Sequence, residues 1–305
     1  WKPVMPESEI PEDLTPDEGA KGERIAKRMA AAGLCSRREA ERWINAGRVE
    51  VDGEVLTTAA FLVTEESKIV VDGNPLSGTG PQRLWLYHKP TGVITTHRDP
   101  QGRQTVFETL PRTMPRVVSV GRLDLNSEGL LLLTTDGELA RKLEHPSNGW
   151  ARRYRVRIHG RPQPDELAAL DKGITVEGVH YASIKAELER QQGANAWLKV
   201  TLTEGKNREI RRVFNHLGYE VGRLIRTGYG PFELGQLKVR EVTEIAGAVL
   251  RQQTGDSSKP VRSDKWAKAK KKPAKKRPGK TKEFEDRKPG GKRRKVKKKP
   301  DAAKP

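Results

Sequence analysis

The stretch GRLDLNSEGLLLLTTDG, residues 121–137, decides how the rest of the chain is read. Its four consecutive leucines, Leu130 to Leu133, form a strand-sized apolar run that reads as a buried strand. The residues ahead of them, Asp124 to Ser127, are mostly polar and form a loop, so Asp124 stands on a short connection leading into the core. Loop residues held by a rigid scaffold are common catalytic positions. An aspartate before Asn-Ser is equally good turn chemistry, and from spacing alone both readings stand.

Working outward, further strands are expected at 84–88, 117–120, 154–158, 196–202 and 222–227, and helices at 138–143, 165–171 and 208–217. Strands often follow one another without a helix between them, which favours a mixed, mainly antiparallel sheet over a doubly wound one. The fold class is therefore α+β. This larger domain is expected to span 83–250. Ahead of it, the Gly/Pro/Ser-rich segment 75–82 reads as a linker.

A second, smaller module precedes the linker, at 23–74. Ile25, Met29 and Ala32 have helical spacing, with Gly33 placed to end the helix. Ser36 and Glu39 have the spacing of a capping box for a second helix, which presents Ala40, Trp43 and Ile44 and stops at Gly47. Short strands around 48–51 and 68–71 each close on an Asp-Gly turn. Arg24, Lys27, Arg28, Arg37, Arg38 and Arg42 lie on the two helices, where few acids accompany them. A solvated charged face would explain a few such residues; positive charge on both helices points instead to RNA.

The formal net charge is +19, unevenly spread. Residues 256–305 carry +16, residues 1–20 carry −5, and the middle carries +8. The segments 1–22 and 251–305 have little to bury and are expected to be disordered tails, acidic and basic respectively. The basic tail suits electrostatic affinity for RNA without choice of nucleotide. A single cysteine, Cys35, excludes an intrachain disulfide and suits a reducing compartment. Six histidines show no zinc-ligand spacing, and no metal is expected. No run approaches the roughly 20 apolar residues of a membrane span, and no secretory pattern opens the chain. The expectation is a cytoplasmic protein with no membrane partner, whose first residue, Trp1 rather than Met, follows a trimmed or missing start.

The segment ERIAKRMAAAGLCSRREAERWINAGRVEVDGEVL, residues 23–56, resembles the RNA-binding domain named after ribosomal protein S-four. The stretch 121–137 resembles the signature loop of pseudouridine synthases, in the ribosomal branch that carries such a domain. Lys89-Pro90-Thr91-Gly92, Asp99-Pro100-Gln101-Gly102-Arg103, His145-Pro146, Tyr154 and GKNREIRR at 205–212 follow in that family's order. The resemblance implies that Asp124 is the catalytic carboxylate and that Arg122 helps hold the opened RNA. It implies further that Tyr154 stacks on the target base, that Arg211 pairs with Asp124, and that Leu202 packs below the base. Taken alone, Tyr154 alternating with Arg153 and Arg155 also suits a core position, and Ile210, Val213, Phe214 and Leu217 make an ordinary buried stripe.

The implied reaction cleaves the N-glycosidic bond of uridine, turns the uracil and rejoins it through carbon. Nothing is oxidised and no group is transferred, so no cofactor is expected. An ionised carboxylate can attack the anomeric carbon or take a proton from its neighbour, and the resemblance does not choose. The stretch 99–107 and the basic tail look most like enzymes acting on large-subunit ribosomal RNA, with small-subunit relatives as the alternative. The expected partner is ribosomal RNA or an assembly precursor, and nothing requires more than a monomer. A non-catalytic assembly factor would explain the basic surfaces while making no demand on Asp124, Tyr154 and Arg211. A small-molecule glycosidase would call for two cooperating carboxylates and leave those surfaces idle.

Overall fold

The computed structural model describes residues 22–78 and 80–255; the expected tails lie almost wholly outside them. In the small module, β1 (Glu23–Arg24) leads into α1 (Ile25–Ala31), which packs Ile25 and Met29 against Ala40 and Ile44 of α2 (Arg37–Asn45). Ser36 Oγ accepts from the backbone N–H of Glu39 at 3.2 Å, one half of the expected capping box; the Glu39 side chain does not return the bond. The strands β2 (Val49–Val51), β3 (Glu54–Val55), β4 (Leu62–Val63), β5 (Ile69–Val71) and β6 (Asn74–Pro75) follow. They form a β3-β2-β5-β6 sheet and a small β1-β4 pair. Both Asp-Gly turns take left-handed conformations, as a tight two-residue hairpin turn requires.

The larger domain is built on one nine-stranded sheet. Its elements are β7 (Leu84–Lys89), β8 (Val118–Val120), β9 (Glu128–Thr134), α3 (Gly137–Glu144), β10 (Arg152–His159), α4 (Pro164–Ala169), the hairpin β11 (Ile174–Val176) and β12 (Val179–Tyr181), β13 (Ile184–Gln192), β14 (Asn195–Leu202), α5 (Glu209–His216), β15 (Val221–Tyr229), β16 (Phe232–Glu233), β17 (Val242–Glu244) and α6 (Gly247–Thr254). The strand order is β13-β14-β10-β15-β9-β7-β17, with β8 on β9 and β16 on β15. Only β15 and β9 pair in parallel, so the sheet is mixed and mainly antiparallel.

The four leucines run through the middle of this sheet. Leu130 and Leu132 enter one cluster with α3, while Leu131 and Leu133 enter another on the opposite face. Being covered on both sides is why the run lacks alternation. In the other half of the sheet, β10 alternates: Val156 and Ile158 join Ile210, Val213 and Phe214 of α5 in a single core, and Arg157 faces outward. Gly129 marks the join between the halves. It has φ +105°, and a Cβ there would lie 2.3 Å from the Arg226 carbonyl oxygen. Only glycine allows β9 and β15 to approach so closely.

Several elements depart from the sequence reading. The strand β13 was not expected, because seven of its nine residues are exposed and the apolar pattern is faint. The helix α6 carries regular structure past the boundary expected at 250, anchored by buried Leu250. Arg208, expected to open the third helix, instead sits before it in the left-handed region at φ +50°. No helix among the described residues is long and apolar enough to cross a membrane.

Candidate active site

The loop between β8 and β9 carries Asp124, and two cations fix that loop through its backbone. Lys89, at the end of β7, is fully buried. Its ammonium donates to the carbonyls of Pro90 (3.0 Å), Asp124 (3.0 Å) and Ser127 (2.9 Å). Burial pushes this lysine down to about 8, with the charges of Asp124 and Glu128 opposing the shift. Thr95 Oγ1 donates to the Leu123 carbonyl at 2.9 Å, and Gly92 N–H donates to Leu125 O at 2.9 Å. The Lys-Pro-Thr-Gly segment is therefore a clamp on the loop that presents Asp124.

From the other side, Arg211 of α5 donates to the carbonyls of Asn126 and Val221, each at 2.8 Å. Its Nε is buried and has no hydrogen-bond partner among the described residues. Desolvation and Arg208 lower its pKa, while the charge of Asp124 opposes this. The expected Arg211–Asp124 ion pair is not formed: no nitrogen of Arg211 comes within ion-pair distance of that carboxylate, and the contact is to the backbone two residues on. Arg211 acts on Asp124 through its charge and through the loop.

Asp124, half-buried, faces a cleft of about 560 Å³ together with Arg122, Tyr154 and Leu202. Four of the five residues singled out for the site thus line one cavity, and Arg211 buttresses it from behind. Tyr154 is half-buried on β10, opposite Val200 of β14 and Arg226 of β15. The cleft holds further residues that spacing did not single out. Leu224 adds to the apolar floor beside Leu202, and Arg152 and Arg226 place their guanidiniums 5.1 Å from the ring centre of Tyr229. Arg226 is buried, donates through Nε to Leu130 O at 2.7 Å, and leaves Nη2 without a partner among the described residues. Glu209, at the cleft wall, is pushed up to about 7 by burial and by the charge of Glu204. Lys89 stood in the sequence as the first residue of the Lys-Pro-Thr-Gly motif and as a lysine closing an apolar strand, but neither signal gave it a role in the site.

Exposed Arg122 and half-buried Ser119 also line a second cleft, of about 760 Å³, whose far wall is Arg38 and Arg42 of α2. His97 lines the same crevice, stacked on Phe107 at 3.6 Å. Of the module's other cations, Arg24 and Arg37 are exposed. Arg28 pairs with Glu23 at 3.0 Å, and Lys27 pairs with Glu23 and with Glu138 of α3. These two are engaged in ion pairs, while Arg24, Arg37, Arg38 and Arg42 have none among the described residues. No cluster of three metal-ligating side chains occurs among the described residues.

The family described as RNA pseudouridylate synthase matches residues 83–216, and the S4 domain matches residues 23–69. An uncharacterized RNA pseudouridine synthase of Rickettsia bellii is 48% identical over 223 residues, covering 73% of this chain and 96% of that protein. The ribosomal large subunit pseudouridine synthase B of Yersinia pestis is 45% identical over 219 residues, covering 70% and 69%. Among solved structures, a pseudouridylate synthase superposes with a TM-score of 0.55 at 22% identity, over 76% of this chain and 99% of that one, a likeness of fold.

Proposed function

This chain belongs to the RNA pseudouridylate synthase family, and on that premise we propose that it isomerises a specific uridine in large-subunit ribosomal RNA. The relatives named for the large subunit support that choice of substrate. The observation that carries the catalytic reading is the convergence of Asp124, Tyr154 and Leu202 on one cleft, with the Asp124 loop fixed by Lys89 and Arg211.

In this reading the target uridine leaves its stack, since the atoms to be changed are inaccessible within a helix. Tyr154 supplies a flat face for the uracil, worth ~1–3 kcal/mol in comparable stacks, and Leu202 and Leu224 pack beneath it. Asp124 acts on the ribose, by attack at C1′ or by proton removal from C2′. The N1–C1′ bond breaks, the uracil turns, and a C5–C1′ bond forms; C5 loses a proton and N1 gains one. Atoms balance within the nucleotide, so no cofactor is required. Arg122 stands where the two clefts meet, and the flanking strand runs past it toward Arg38 and Arg42. Phosphate contacts of this kind position RNA without reading sequence. The domain assignment that goes with this reading is an RNA-binding module at 23–74 and a catalytic domain from 83, acting as a monomer in the cytoplasm.

The test is a pseudouridine map of unmodified large- and small-subunit rRNA, free and in assembly particles, after incubation with wild type or Asp124→Asn. One new large-subunit pseudouridine made by wild type alone is the expected result. Modification of small-subunit RNA alone moves the substrate. RNA binding with no pseudouridine anywhere turns the reading into that of an assembly factor.

A further inference from the structure

The sheet half β15-β10-β14-β13 has two faces. One is covered by α4 and α5 over a continuous core. The other carries no helix among the described residues, and cross-strand register shows what stands on it. In one row Arg223 lies opposite Arg157, which lies opposite Trp197, which lies opposite Arg190. In the next, Arg155 lies opposite Lys199, which faces Glu187. In the third, Arg153 faces Thr201, and Thr201 faces Lys185. Seven cations thus form a lattice over four strands.

Three of the seven have carboxylate partners: Arg153 with Glu233 at 2.7 Å, Arg155 with Glu189 at 2.6 Å, and Arg223 with Glu128. Arg157, Lys185 and Lys199 are exposed and have no ion pair among the described residues. Two directly opposed pairs, Arg157–Arg223 and Arg155–Lys199, bring like charge together across strands, an arrangement that destabilises a sheet. Nothing in the fold requires Arg157, Lys185 or Lys199, which have no ion pair among the described residues and stand where a solvent-facing strand accepts any polar side chain. Trp197, only 8% exposed, lies flat in this face under the Arg155 guanidinium, 4.4 Å from its ring centre. It gives the lattice a stiff base on which Arg155 is held.

We propose that this face is a second RNA-binding surface, on the opposite side of the sheet from Asp124, which contacts phosphates of the substrate RNA remote from the target uridine. The alternation of β10 enforces the separation: Tyr154 points into the cleft, while Arg153 and Arg155 point away from it. Arg153, Arg155 and Arg157 are spaced two residues apart, so they span roughly 13 Å of one strand. That is enough to follow several phosphates of a backbone laid across the sheet. A short stem-loop that fills the cleft does not reach this face, and a long folded RNA does. The inference rests on the reading that the substrate is a large RNA. An acidic protein surface would answer the same charge, and dependence on RNA length separates the two.

The test uses the full chain with Arg157→Gln, Lys185→Gln and Lys199→Gln combined. Binding is measured against a long rRNA fragment and a short stem-loop bearing the target, over a range of salt. For the long RNA, Kd should rise roughly five- to fiftyfold at moderate salt, and the slope of log Kobs on log salt should flatten by about 1–2, from fewer released counterions. Turnover on the stem-loop should be unchanged. The variant should melt no lower than wild type, because opposed like charges are removed. An unchanged Kd and salt slope for the long RNA overturn the proposal, as does a lower melting point accompanied by equal loss on both RNAs. A wild type that makes no pseudouridine, while the variant still loses affinity for long RNA, would leave this surface standing and remove the catalytic reading instead.

Discussion

Lys89 grips the main chain of Asp124, at 3.0 Å from its carbonyl oxygen, and not its carboxylate. The same ammonium holds two more carbonyls, so all three of its donors are used. A buried charge spent in this way fixes the geometry of a loop and leaves the Asp124 carboxylate facing the cleft, where the proposed function needs it. Replacing Lys89 by Met leaves three carbonyls short of a partner. It should cost about 2–4 kcal/mol of stability and lower turnover at least tenfold, as read by denaturant melts and pseudouridine formation. A variant as stable and active as wild type would show that the clamp is dispensable.

The same residue gives a pH signature. Its pKa is about 8 in the folded state against an ordinary 10.5, so between those values the unfolded chain binds more protons at this site. Its contribution to stability therefore rises with pH across that window. The difference in unfolding free energy between wild type and Lys89→Met should widen from pH 8 to 10. A gap that stays flat or narrows would contradict a lysine depressed by burial.

Arg211 spans two carbonyls, on Asn126 and Val221, with separate nitrogens of one planar group. Lysine has the charge but not the fork. Arg211→Lys should stay folded, lose about 1–2 kcal/mol for one missing charged hydrogen bond, and turn over roughly ten- to a hundredfold more slowly. Because loop and carboxylate work as a unit, adding Arg211→Lys to Asp124→Asn should reduce the residual rate little further. Full activity in Arg211→Lys would mean that charge alone suffices.

How much of this was legible in the sequence depends on what kind of contact carries each feature. The central strand announced itself because Leu130 to Leu133 are buried on both faces, and β10 because Val156 and Ile158 alternate with arginines. At the edge, β13 left no such mark, since its outer positions face solvent and only Ile184 is fully buried. For the candidate site, the signature loop pointed to Asp124 and the order of motifs to Tyr154 and Arg211; the fold brings the first two to one cleft and the third to the loop behind it. The partner of Arg211 could not be read the same way. Residue type suggests a carboxylate, while the backbone offers a carbonyl two positions on, and only the fold decides between them. The role of Lys89 was hidden for the same reason: its partners are main-chain atoms from two segments that meet in space.

Gly129 tests the join of the two half-sheets. Its Cβ would fall 2.3 Å from Arg226 O and 2.7 Å from Arg226 N, both backbone atoms that cannot step aside. Gly129→Ala should therefore cost at least about 3 kcal/mol, from overpacking added to strain at positive φ. By contrast Gly137, the first residue of α3, has ordinary φ and open space around its Cβ position. Gly137→Ala should be neutral or add about 0.5–1 kcal/mol. Thermal melts of the two variants decide the matter, and equal effects would rule out the close strand approach as the cause.

Tyr154 separates stacking from hydrogen bonding. Its ring lines the cleft beside Leu202 and Leu224, and its hydroxyl has no hydrogen bond among the described residues. If the ring face is what the uracil meets, Tyr154→Phe should keep turnover within about threefold. Tyr154→Ala should lose the stack, about 1–3 kcal/mol or roughly 5- to 150-fold in kcat/KM. Because Tyr154 also packs against the core beneath it, Tyr154→Leu is the control that fills the space without offering a π face. Leucine should restore the melting temperature while leaving kcat/KM near that of alanine. Recovery of activity by leucine would assign Tyr154 to packing, and loss in Tyr154→Phe would assign the work to its hydroxyl.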